Sequence, residues 1–80
     1  MHQDNLKGFL TVELDLAKTF LGMAATASTQ DDRTRLLNLV AEAIKTVRHF
    51  EGRIEDPAAS QAINARAAEL YDTVHKLETR

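Results

Sequence analysis

Residues 5–27 read NLKGFLTVELDLAKTFLGMAATA, and the width of their apolar face decides the fold. Leu6, Leu10, Leu14, Ala17, Leu21 and Ala24 recur at steps of three and four, the period of one helix face. A second row, Phe9, Val12, Leu16, Phe20, Met23 and Ala27, runs beside the first. At about 100° per residue the two rows together span an arc of about 220°, whereas a helix resting on one neighbour needs little more than about 100°. Thr11, Asp15, Lys18, Gly22 and Thr26 occupy the remaining face, and Asp4 or Asn5 is placed to cap the first turn. The segment is predicted to be a helix that needs cover on more than one side.

Working outward, Ser28 to Asp32 interrupts the pattern. Ser28 or Thr29 can cap a second helix, with an acid three residues on in the manner of a capping box and two aspartates suited to the positive end of the helix dipole. That helix is expected over residues 31–51. Leu36, Leu39, Val40, Ala43, Ile44, Val47 and Phe50 form its inner face, and Arg35, Asn38, Glu42, Lys45 and His49 its outer one. Gly52 stands where a left-handed residue commonly ends a helix. Asp56 followed by Pro57 then reads as an N-cap and a first helical residue. A third helix over 57–77 turns Ala59, Ile63, Ala67, Leu70, Val74 and Leu77 inward, with Tyr71 at the edge and alanines on the flanks. No stretch alternates long enough for a strand, and no repeat of useful length occurs.

Eighty residues hold one domain of this kind. Helices of about 20 residues with short connections run as antiparallel neighbours. The expected fold is therefore all-α, an up-down-up three-helix bundle over residues 1–80. Of the apolar residues, 12 are alanine, so bulky core-formers are scarce and a core this small is marginal. The third helix contributes little volume, and the first carries surplus. Homo-oligomerisation, a dimer in the first place, resolves both deficits by burying Val12, Leu16, Phe20 and Met23 against a copy or a partner helix.

Composition narrows the function further. There is no cysteine, which removes thiolate metal sites, disulfides and cysteine nucleophiles. The net charge is −2, and the basic residues of the second helix are interleaved with acids rather than gathered in a stripe, so no nucleic-acid partner is expected. The weakly polar run 20–27 is too short to span a bilayer, and no basic-then-apolar leader opens the chain; the expectation is no membrane and a cytoplasmic location.

Candidate chemistry is sparse. Asp72 and His75 stand three apart, but a two-helix carboxylate–histidine site needs that spacing twice. His49 falls on the polar side of the second helix, and His2 in the terminus. Ser28 and Ser60 are placed as turn and first-turn residues, and the glycines are too scattered for a phosphate loop. No enzyme activity and no cofactor or metal is expected. Glu13 alone breaks the apolar pattern, with Phe9, Leu10, Leu16 and Ala17 around it. A carboxylate there calls for a partner. Arg66, at matching depth in the third helix, is the candidate for an ion pair within the subunit or across a dimer axis. The expected function is a non-catalytic interaction or oligomerisation module. The alternative is a bundle that holds a small ligand or metal between its helices, with Glu13 as polar anchor.

Overall fold

The computed structural model describes residues 3–78 as three helices, α1 (Gln3–Ala25), α2 (Gln30–Glu51) and α3 (Pro57–Glu78). The unit is elongated, 41 × 18 × 16 Å. Phe9 of α1 lies beside Phe50 of α2, and Met23 shares a surface recess with Leu36, so the two helices are antiparallel. Leu77 of α3 meets Leu37 of α2, while Tyr71 and Val74 lie beside Ile44, which reverses the direction again. The chain runs up, down and up, and α1 lies more extensively against α2 than against α3.

The helix ends show why the chain turns where it does. Among the described residues α1 is helical from Gln3, so Asp4 and Asn5 stand inside the helix and not at its N-cap position. At the other end the Thr26 and Ala27 amides reach back only three residues, to the Met23 and Ala24 carbonyls at 3.2 and 3.3 Å. This tightening closes α1 at Ala25 and satisfies carbonyls that a longer helix would have used. Thr29 then leaves helical space (φ −126°, ψ 155°), and its hydroxyl oxygen accepts from the Asp32 amide at 3.1 Å, the N-cap bond anticipated from the sequence. Asp56 does the same for α3, its carboxylate accepting from the Ala58 amide at 3.1 Å.

Gly52 behaves differently from expectation. Its backbone is right-handed (φ −66°, ψ −13°), and no described glycine has positive φ. The Arg53 and Ile54 amides instead bond the Phe50 and Glu51 carbonyls at 3.0 and 3.1 Å. This three-residue step, rather than a left-handed cap, ends α2 and delivers Ile54 into the core.

The core is the inner row of α1, with Leu37, Val40, Ala43, Ile44 and Val47 of α2, Ile54 of the loop, and Ile63, Ala67, Leu70, Val74 and Leu77 of α3. Leu10, Leu14, Val40 and Val47 are its largest fully enclosed side chains, and no described polar or charged residue is buried as a whole. One inner-face assignment changes. Leu37, not Leu39, is buried. About 160° separates the two around α2. The side of α2 that meets both α1 and α3 is centred on Val40, which takes in Leu37 and leaves Leu39 at the outer margin. Among the described residues, no helix is long and apolar enough to cross a membrane.

Candidate association surface

The second apolar row of α1 is the part of the bundle that leaves most large apolar side chains exposed. Around α1 it is turned about 110° from the buried row, and α2 covers only its near edge. The Phe9 ring meets the Phe50 ring edge-on, with centroids 6.2 Å apart and an 85° interplanar angle. Phe20 and Leu36 are half-buried against the core. Beyond that edge, Phe9 remains 40% exposed, Val12 55%, Leu16 45%, Met23 50%, and Leu39 of α2 45%. The face is continuous along α1: from Phe9 to Met23 is fourteen residues, about 21 Å of helix.

Polar groups frame this seam without interrupting it. Thr19 donates its hydroxyl to the Asp15 carbonyl at 3.1 Å, and Thr46 donates to the Glu42 carbonyl at 3.1 Å. With their hydrogens already placed on backbone oxygens, both threonines can lose solvent at little cost. At one end His49 packs edge-on against Phe50, centroids 4.7 Å apart, and the Arg53 guanidinium lies 5.0 Å over the same ring. At the other end Arg35 bridges to Asp32 at 2.6 Å. An apolar centre with a charged rim is the usual anatomy of a protein–protein contact.

Val12, Leu16 and Met23 are thus exposed on one face, and Phe20 is half-buried at its margin. Phe9 and Leu39 belong to the same face and were not singled out from the sequence. Phe9 is in the right row and could have been included. Leu39 follows from the sequence only once the directions of both neighbours of α2 are known.

Arg66 meets a different carboxylate from the one anticipated. It donates to Asp15 at 2.8 Å, with side chains 40% and 64% exposed, rather than to Glu13 within the subunit. Glu13 and Asp15 point about 200° apart around α1. α3 lies on the Asp15 side; Glu13, half-buried, faces the α2 side. Such an exposed pair contributes about 0–1 kcal/mol. Arg33 Nε and Glu51 Oε2 are buried without a hydrogen-bond partner. Eighteen residues of helix, about 27 Å, keep them from satisfying each other.

A recess of about 390 Å³ opens between α2 and α3, lined by Ala41, Ile44, Lys45 and Arg48 of α2 and by Tyr71, Val74 and His75 of α3. Tyr71 and His75 stack there, centroids 6.4 Å apart. Glu13 sits on α1 and lines none of this recess. His75 and Asp72 are both exposed, and no group of three or more His, Asp or Glu among the described residues is arranged to hold a metal ion. His2 lies outside the described residues. No protein-family model matches the chain, and neither the curated proteins nor the solved structures contain a match to it.

Proposed function

We propose that this chain is a non-catalytic helical association module that pairs with a second copy of itself through the outer face of α1 and the adjoining margin of α2. The observation that carries this reading is the row of five large apolar side chains, each 40–55% exposed, on a single seam of an 80-residue unit. Monomers rarely leave so much contiguous apolar surface in water.

The energetics favour a reversible dimer. Burying the exposed half of a large apolar side chain is worth about 1 kcal/mol, so five on each copy supply on the order of 10 kcal/mol. Association itself costs about 4–15 kcal/mol in lost freedom. The balance corresponds to a complex that forms and separates with concentration. A small monomer with a marginal core gains stability from it by mass action.

Sedimentation over a micromolar concentration series tests the proposal. The wild-type chain is expected to shift from monomer to dimer, and Leu16→Asp to remain monomeric with its helix content retained. A chain that stays monomeric at several hundred micromolar, or a dimer indifferent to Leu16→Asp, would sink it.

A further inference from the structure

We infer that the recess between α2 and α3 is a binding site for a small organic carboxylate with an apolar body. The site is separate from the association seam, since none of its lining belongs to α1. Four residues of each helix, spread over two turns, border a volume of about 390 Å³. Two turns run about 11 Å, the scale of a small molecule. The volume falls within the usual range of ligand pockets, about 300–1,000 Å³.

The apolar half of the ligand follows from burial. Ile44 and Val74 are 4% and 5% exposed, whereas the other side chains of the lining are all exposed. The recess therefore reaches the core at those two residues and offers an apolar contact there. Tyr71 and His75 add aromatic surface from α3, their rings within 9° of parallel. Tyr71 is 56% exposed, more than any other large apolar or aromatic side chain among the described residues. A hydrocarbon or ring laid along the recess takes this surface out of water.

Charge fixes the other half. Lys45 and Arg48 stand three apart on α2, neighbours on one helix face, and neither is held by an ion pair with a described residue. Like charges at that spacing repel. An anion between them relieves the repulsion and gives the Arg48 guanidinium a planar, two-oxygen partner. Glu78 is the acid of the lining. Because α3 runs against α2, it stands at the Ala41 end, away from Arg48. With histidine counted as neutral, two cations against one carboxylate leave a single net positive charge. A carboxylate matches that balance, whereas a phosphate monoester, at about −1.5 to −2, exceeds it. The carboxylate thus belongs at the Lys45–Arg48 end, with the apolar body over Ile44 and Val74.

Titrating the full chain with 2-naphthoate, followed by amide and methyl resonances, tests this assignment. The shifts are expected to gather at Ile44, Arg48, Tyr71 and Val74, and not along the α1 row from Phe9 to Met23. Naphthoate is expected to bind about tenfold more tightly than 2-naphthylmethylamine, which carries the same rings and the opposite charge. Lys45→Gln combined with Arg48→Gln is expected to remove that preference; both residues are exposed, and circular dichroism reads whether the helices are retained. Three results would each overturn the site: no shift at Ile44 and Val74 in millimolar naphthoate, shifts confined to the α1 row, or a preference for the anion that survives the double substitution. Should that variant lose its helices, the two probes on the wild-type chain decide alone, and equal or tighter binding of the amine overturns the site.

Discussion

α1 and α3 are nearly equal in length, 23 and 22 residues, yet they meet water in opposite ways. In α3 the large apolar residues Ile63, Leu70, Val74 and Leu77 form one row, and all four are buried; only Tyr71 stands out, with its hydroxyl end suited to solvent. α1 has two rows, and the bundle encloses one. Alanine content explains the contrast. On the flanks of α3, Ala58, Ala62 and Ala65 add little side chain to bury and allow close approach, so one stripe suffices. On α1 the flank is built of Phe9, Val12, Leu16 and Met23, which no other described element reaches across fully. A helix can thus be fully helical, well packed on one side and still apolar on a side that faces water.

The sharpest way to break this comparison is to truncate one leucine from each row of α1. Leu14→Ala opens a cavity in the enclosed core and is expected to lower unfolding free energy by about 2–5 kcal/mol, independent of protein concentration. Leu16→Ala, two residues away, is expected to cost the monomer less than about 1 kcal/mol while weakening self-association roughly tenfold. Denaturant titrations at two concentrations separate the effects; equal, concentration-independent losses would mean the two rows are not distinct.

Smaller changes sharpen the picture from the α3 side. Asp56→Ala removes the carboxylate that accepts from the Ala58 amide and is expected to destabilise by about 1 kcal/mol in chemical unfolding. Gly22→Ala should act in the other direction. An added methyl meets nothing within 4 Å, and Gly22 lies on the side of α1 away from the seam. The expected gain is about 0.5–1 kcal/mol with the dimerisation constant unchanged. Gly52→Ala is expected to be tolerated for the same reason, because its φ of −66° is open to any residue. A destabilised Gly52→Ala would mean that the α2–α3 turn needs a left-handed residue after all. The smallest effect belongs to Arg66→Ala, whose bridge to Asp15 is exposed: a few tenths of a kcal/mol, fading in salt.

Much of the fold is legible in short-range chemistry. Thr29 and Asp56 cap where their side chains predict, since a cap involves an oxygen and an amide two or three residues apart. Pro57 opens α3 because its fixed φ suits the first helical position. The inner row of α1 and the face of α3 are equally direct readings of a 3.6-residue period. Legibility fails where a residue's role depends on a distant neighbour. Leu37 and Leu39 are both leucines on an amphipathic helix, and their fates part only when α1 and α3 take their places. Arg66 has two acids of α1 at similar depth, and the side on which α3 lies gives it Asp15. Gly52 shows a local signal overridden: Ile54 has a place in the core, and a right-handed turn takes it there.

By itself, then, the chain's order of residues determined three helices, the N-caps of the second and third, and a surplus of apolar side chains on the first, because each depends on periodicity or on groups a few positions apart. Which of those side chains stay wet, and which acid Arg66 holds, was decided only by the tertiary arrangement. Two helices lying against α1 can shade one arc of it, and the direction from which they approach sets where that shade ends.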